Sequence, residues 1–143
     1  MDKFLSNGYI KPVPRANKVH VILYVKDQMR SRDFYSRVLQ LSPILDVPGM
    51  TEFAILDHCV LGLMPEKGIK RLLGDKLPDP ESAQGIPRAE LYLLVNDPQK
   101  YQSRALEFGA TELSPLAKRN WGDEVAYSLD PDGHVIAFAS SIR

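Results

Sequence analysis

Two titratable residues occupy the same position in two similar apolar stretches of this sequence. His20 lies within NKVHVILYVKD, residues 17–27, and Glu90 lies within PRAELYLLVND, residues 87–97. The offset between the two residues is 90 − 20 = 70, and the same offset pairs Asp27 with Asp97. A carboxylate beside an imidazole favours the imidazolium and fixes its tautomer. If the two stretches pack together, the pair could contact a ligand, act as an acid and base, or satisfy each other as buried polar groups.

The elements that carry these residues follow one pattern twice. Apolar, β-branched runs at residues 17–25 and 90–95 predict strands. Asp27 and Asp97 can each cap a following helix, and apolar residues then recur at helical spacing. We expect helices over residues 31–39 and from Pro98 to a stop at Gly109. Three short strands should follow each helix, over residues 42–46, 51–56 and 59–64 and over residues 111–116, 124–129 and 134–140.

The chain therefore reads as a tandem duplication. The first helix contains Ser-Arg-Val-Leu and the second contains Ser-Arg-Ala-Leu at the equivalent place. Each module is predicted to be βαβββ, which gives an α+β fold whose curved mixed β-sheet forms a cup with helices on the outside. The predicted divisions are an arm at residues 1–16, a first module at 17–64, a connector at 65–88 and a second module at 89–143. The connector is long for a loop and could cover a site.

Composition limits the classes of function. The chain has 143 residues, with 18 Lys+Arg balanced by 18 Asp+Glu, so no overall basic field favours nucleic acid or an anionic membrane. Cys59 is the only cysteine, which excludes an intrachain disulfide and suits a reducing cytoplasm. The apolar runs are far shorter than a membrane span. We expect a cytoplasmic protein with no nucleic-acid or membrane partner.

The sequence resembles a known family. HVILYVKD followed by DFYSRVLQLSP, and AELYLLVNDP followed by WGDEVAYSLDPDGHVIAFA, are similar to motifs of the vicinal oxygen chelate superfamily. That superfamily includes glyoxalase I, extradiol dioxygenases, fosfomycin-resistance enzymes and bleomycin-resistance proteins. The resemblance covers about residues 17–142 and implies the same paired βαβββ modules around a cup.

The family's metal site takes one ligand from the first strand and one from the last strand of each module. On this sequence the resemblance places those positions at His20, Gly62, Glu90 and Ala137. Glycine and alanine have no side-chain ligand to offer, so we expect neither a bound metal nor another cofactor. The small residues at these two positions are instead expected to leave space in the cup.

Strand alternation indicates which side chains line the cup. The third strand of the first module leaves a choice between Glu52 and Phe53, and we favour Phe53 because its neighbours are apolar. Trp121 lies in a loop that often borders the pocket in members of the family, and it could equally be a hydrophobic plug. The expected ligand-binding residues are His20, Tyr24, Phe53, Met64, Glu90, Tyr92 and Trp121. No catalytic residue is assigned.

The sequence leaves more than one function open. The lining suits an organic ligand with one polar group. We therefore expect a metal-independent protein that sequesters an apolar or aromatic compound, as the bleomycin-resistance proteins do, and that forms a homodimer. The alternative is a glyoxalase-like lyase, isomerase or dioxygenase with a remodelled metal site or a His20/Glu90 acid–base pair. A cup filled with side chains would indicate a structural module instead.

Overall fold

The computed structural model describes residues 15–143 together with the backbone of residues 3–4 and 10–11. The predicted arm, residues 1–16, falls largely outside this part of the chain. Two short strands are described within it, β1 (Lys3–Phe4) and β2 (Ile10–Lys11), and they pair antiparallel.

The first βαβββ module is confirmed. It consists of β3 (Val19–Val25), α1 (Gln28–Leu39), β4 (Leu45–Val47), β5 (Met50–Leu56) and β6 (Cys59–Pro65). The sheet has the order β3-β6-β5-β4, with β3 parallel to β6 and the other pairs antiparallel. The helix begins three residues before the predicted start at residue 31, since Asp27 caps it and accepts a hydrogen bond from the Arg30 amide at 3.0 Å.

The second module repeats this arrangement. It consists of β7 (Glu90–Leu94), α3 (Pro98–Glu107), β8 (Thr111–Lys118), β9 (Asp123–Leu129) and β10 (Val135–Ser141). Its sheet has the order β7-β10-β9-β8, with β7 parallel to β10. Asp97 accepts from the Lys100 amide at 3.2 Å, so both predicted helix caps form. The chain is therefore an α+β protein of two βαβββ modules, each with a four-stranded mixed sheet.

The connector between the modules carries structure that the sequence analysis did not predict. The helix α2 (Glu66–Leu73) follows β6 directly, and short 3-10 turns follow at Gly74–Lys76 and Pro80–Ala83. The spacing of Ile69, Leu72 and Leu73 was the available signal for a helix, although only Ile69 is buried. Glycine and proline elsewhere in the connector obscured this short helical pattern.

One apolar core joins the two modules on the helix side of the sheets. It contains Phe34, Tyr35 and Val38 from α1 and residues of both sheets, among them Leu61, Leu63, Ile136 and Phe138. Phe53 belongs to this core and is fully buried. The prediction that Phe53 lines the cup is therefore wrong, because alternate residues of a strand lie on opposite faces and Phe53 packs towards the helices.

A buried hydrogen bond fastens the second module to the first. The Tyr35 hydroxyl of α1 donates to the Asp130 carboxylate at 2.5 Å, and Asp130 is only 4% exposed. The other carboxylate oxygen of Asp130 accepts from the amides of Asp132 and His134, both at 2.9 Å. Burial raises the pKa of Asp130, and the nearby His134 and the hydrogen bond from Tyr35 partly offset this by stabilising the carboxylate.

Asp132 extends this contact to the start of α1. Its carboxylate accepts from the Lys26 amide at 2.8 Å, from Arg30 Nη2 at 3.2 Å and from Ser31 Oγ at 3.0 Å. His134 Nε2 lies 2.9 Å from the Tyr24 carbonyl oxygen of β3. We call the β9–β10 turn, residues 130–134, the hairpin clamp.

The connector rests on the hairpin clamp through two glycines. A Cβ atom built on Gly133 would lie 2.5 Å from the Gly85 carbonyl oxygen, and Gly133 has φ of +91°. Only glycine fits both the conformation and the close approach. The tight DPDG turn that the sequence predicts is therefore also the point where connector and modules meet.

Replacing Tyr35 by Phe should destabilise the protein by about 1–3 kcal/mol at neutral pH, because Asp130 then loses a partner while it stays buried. The raised pKa of Asp130 sets the pH dependence. The lost bond matters most when Asp130 is ionised, so the difference in stability should shrink as the pH falls through the Asp130 pKa. Urea unfolding of both proteins across the acidic range measures it.

Tyr101→Phe is the matched control. Tyr101 lies on α3 and packs against Phe138 in the same core, with ring centroids 5.5 Å apart. Its ring contacts survive in phenylalanine. The role of the Tyr35–Asp130 bond would be contradicted if Tyr35→Phe lost no more free energy of unfolding than the control. A loss that did not depend on pH would contradict it as well.

Candidate functional site

Each sheet has a face turned away from the helices, which we call its open face. In the first module the strand register pairs Ile22 with Gly62 and Gly62 with Glu52, so these three lie on the open face. His20 and Tyr24 lie in phase with Ile22 on β3. The face stays accessible in the single chain, with Ile22 40% and Tyr24 36% exposed.

His20 pairs with a carboxylate of its own module. Its Nδ1 lies 3.3 Å from Glu52 Oε2, and the Glu52 side chain is 18% exposed. Within residues 15–143 no ion pair joins His20 to Glu90, so the expected pairing does not form within a single chain. Glu52, which the sequence analysis ranked below Phe53, therefore supplies the polar partner on this face.

The space expected at the two small residues is occupied. A Cβ atom at Gly62 would lie 3.1 Å from Ile22 Cγ1 and 3.3 Å from Met50 Sδ. The side chains of Ile22 and Met50 therefore already occupy the space above the glycine. In the second module Ala137 is fully buried, and Tyr92 and Tyr127 pack against it. The open faces are thus covered by side chains at both positions, and a ligand would bind above them.

The open face of the second module is aromatic. The register aligns Tyr92 of β7, Ala137 of β10 and Tyr127 of β9 across three adjacent strands. Arg119 lies over the Tyr127 ring, with its guanidinium carbon 5.2 Å from the ring centroid. Burial raises the pKa of Tyr127, and the negative charge of Glu90 raises it further.

A chain of hydrogen bonds fixes one side of this face. Trp121, in the turn between β8 and β9, donates its indole N–H to the Tyr92 hydroxyl at 3.0 Å. The Tyr92 hydroxyl donates in turn to Asp123 Oδ2 at 2.5 Å. Asp123 is 4% exposed, and its other oxygen lies 3.4 Å from Arg143 Nη2. Burial and the bond to Asp123 raise the pKa of Tyr92, so it keeps its proton at neutral pH.

Asp123, Arg119 and Tyr127 are the residues of this site that the sequence analysis missed. Asp123 follows Trp121-Gly122 in the sequence and resembles an ordinary turn carboxylate. Its position was the available signal, because Asp123 is the first residue of β9 and lies on the same face of that strand as Tyr127. Arg119 holds its place by donating to Ser114 Oγ at 2.8 Å and to the Val125 carbonyl at 2.9 Å.

The predicted site residues divide between the two open faces and the core. His20, Tyr24 and Met64 lie on the open face of the first module. Glu90, Tyr92 and Trp121 lie on or beside that of the second module. Phe53 lies in the core.

The donor set does not fit the metal site of the resembling family. In the part of the chain that the structure describes, no three His, Cys, Asp or Glu side chains lie close enough together to hold an ion. His20 and Glu52 supply two donors, and catalytic zinc sites generally use three protein ligands. Gly62 and Ala137, at the remaining family positions, bring only backbone and methyl groups to their faces.

Comparison with known proteins places the chain within a family. The family model for the glyoxalase-like domain matches residues 18–143, so the chain belongs to the glyoxalase-like domain family. An uncharacterized protein of Mycobacterium bovis is 29% identical over 126 residues, which cover 85% of this chain and 81% of that protein. An uncharacterized protein of Mycobacterium tuberculosis is likewise 29% identical, with 72% of its length covered.

Solved structures share the fold at low sequence identity. A glyoxalase-related enzyme from Fulvimarina pelagi matches with a TM-score of 0.72 at 20% identity, covering 85% of this chain and 86% of that one. A glyoxalase/bleomycin resistance protein/dioxygenase from Nocardioides gives 0.70 at 19% identity, covering 92% and 87%. The predicted vicinal oxygen chelate resemblance is confirmed at the level of fold and family.

Among the described residues, no helix is both long and apolar enough to cross a membrane.

Because His20 and Glu52 are the two donors on the first open face, we expect the protein to bind no metal tightly. Protein purified without chelator should carry far less than one Zn, Ni, Mn or Fe per chain by elemental analysis. Added metal at micromolar concentration should leave the thermal midpoint unchanged, because an ion that bound only the folded state would raise it. One equivalent of a bound metal, removable by chelation, would contradict the assignment.

Proposed function

We propose that this glyoxalase-like domain binds a small apolar or aromatic compound on its open faces, without a metal, and sequesters it. The observation that carries the proposal is the aromatic surface of Tyr92, Tyr127 and Trp121, in which the buried Asp123 carboxylate fixes Tyr92 and, through it, Trp121. Ligand sites are typically apolar and aromatic with few, fixed polar groups. The single cysteine is compatible with action in a reducing cytoplasm.

We further propose that a second copy of the chain covers the open faces in a homodimer. Apolar side chains on β3 and β7 are left in solvent in one chain, with Ile22 40% and Leu94 65% exposed. A shallow face holds a small ligand poorly, whereas a face closed by a second copy encloses it. The proposed cup would then lie between modules of different chains.

A second function is favoured by one contact. The 3.3 Å pairing of His20 Nδ1 with Glu52 can hold the imidazole in one orientation with Nε2 available to a reactant. A lyase, isomerase or dioxygenase of the glyoxalase type could use this pair as acid and base. The sequestering function is preferred because the more extensive fixed network lies on the aromatic face of the second module.

Trp121 is the only tryptophan, so its fluorescence reports directly on the proposed site. Ligands found by screening aromatic compounds should change this emission. Trp121→Ala should weaken their binding, measured by calorimetry, by about tenfold, the order that loss of an aromatic contact of 0.5–1.5 kcal/mol plus buried area implies. Tyr24→Ala and Tyr92→Ala should weaken it in the same direction.

Leu72→Ala provides the control for these variants, since Leu72 is 70% exposed on α2 and belongs to neither sheet. It should leave affinity unchanged. Unaltered affinity in all three aromatic variants would place the site elsewhere.

Light scattering at micromolar concentration should return twice the chain mass of 16.1 kDa. Ile22→Glu places a charge on the exposed β3 face and should shift the protein towards monomer, because an unpaired charge is costly to bury at an interface. A monomeric wild type would refute the proposed dimer.

A further inference from the structure

We propose that the aromatic face of the second module selects ligands that carry a hydrogen-bond donor, in particular aromatic amines in their cationic form, over acceptor-only or anionic analogues. The inference rests on the proposed function and adds the chemical class of the ligand. Its basis is the direction of the hydrogen bonds that Asp123 imposes on Tyr92 and Trp121.

A tyrosine hydroxyl has one proton to donate and two lone pairs with which to accept. In Tyr92 the proton is committed to Asp123 Oδ2 at 2.5 Å. One lone pair accepts the Trp121 indole N–H at 3.0 Å. What remains for a ligand is a single lone pair, so Tyr92 can accept a hydrogen bond but cannot donate one.

The direction of this chain is fixed by the buried carboxylate. Asp123 is 4% exposed and can only accept while it is ionised. The raised pKa of Tyr92 keeps the phenolic proton in place, so the bond does not reverse at neutral pH. The indole N–H of Trp121 is a donor that Tyr92 already occupies. Asp123 is thus a positioning residue, which acts on a ligand through Tyr92.

The Nη2 group of Arg119 is also engaged, and the Nε of Arg119 is buried without a hydrogen-bond partner among the described residues. Arg119 Nη2 donates to Ser114 Oγ, to the Val125 carbonyl and, at 3.4 Å, to the Pro115 carbonyl. Arg143 pairs with Asp123. Glu90 lies near enough to Tyr127 for its charge to raise that pKa, and it adds acceptor oxygens. Around Tyr92 the face therefore offers aromatic rings and acceptor oxygens, which suit a planar group with a basic nitrogen.

The test compares two probes of the same ring system on the full chain by isothermal titration calorimetry at pH 7. They are 1-naphthylmethylamine, which is a cation, and 1-naphthylacetate, which is an anion. The wild type should bind the amine at least about tenfold more tightly, the order of one hydrogen bond from a charged donor. Equal affinities, or tighter binding of the carboxylate, would overturn the inference.

Two variants locate the preference. Tyr92→Phe removes the acceptor and keeps the ring, so the ratio of the two affinities should fall several-fold. Asp123→Asn replaces an obligate acceptor with an amide that can also donate, so the Tyr92 proton is no longer committed and the ratio should fall as well. Tyr101→Phe, on the helix side of the sheet, should leave the ratio unchanged. A ratio that both site variants retain would overturn the inference.

The outcomes separate the two proposals. If both probes bind through Trp121 and without preference, the proposed function stands and the donor selectivity is wrong. If neither probe binds up to millimolar concentration, the proposed function is overturned and the inference falls with it. Unfolding midpoints within a few degrees of wild type establish that the variants are folded.

Discussion

The bond from Tyr35 to Asp130 sets how the two modules of this protein stand to each other. A carboxylate that is nearly inaccessible to water needs partners, and Asp130 finds them in Tyr35 and in two amides of its own turn. Asp132 adds three contacts to the start of α1. Misplacing the turn would cost Asp130 its bond from Tyr35 and would leave the Asp132 carboxylate without its three partners, so the hairpin clamp favours one arrangement of the modules. That arrangement determines where the open faces lie.

The two modules share one strand topology and differ in the side chains on those faces. Equivalent first-strand positions hold His20, paired with Glu52, and Glu90, beside Tyr127. The positions where the resembling family places further metal ligands hold Gly62 and Ala137. Side chains of neighbouring strands cover both positions. The first module retains an imidazole–carboxylate pair, and the second has built an aromatic surface on a buried carboxylate. The same βαβββ scaffold thus carries two chemically different faces.

The sequence predicts the modules well because local signals determine them. Asp27 and Asp97 cap their helices as expected, and the DPDG turn forms where proline and glycine place it. The site is harder to predict because it depends on which face of a strand turns inward. In β5, Glu52 and Phe53 are adjacent, and packing of Phe53 against α1 decides between them. Asp123 is likewise significant only through Tyr92, which is 31 residues earlier in the chain.

A ligand is expected to bind on the open face of the second module, and chemical-shift mapping measures this most directly. A titration of 15N-labelled protein with 1-naphthylmethylamine should shift the single Trp121 indole signal together with backbone amides of β7 and of residues 121–127. Weaker shifts should appear on β3, around Tyr24. A polar cavity of about 610 Å³ lies elsewhere, beside the hairpin clamp, lined in part by Lys26, Glu66 and Glu81. Shifts concentrated at that cavity, with the Trp121 indole signal unmoved, would contradict the assignment of the open face as the binding site.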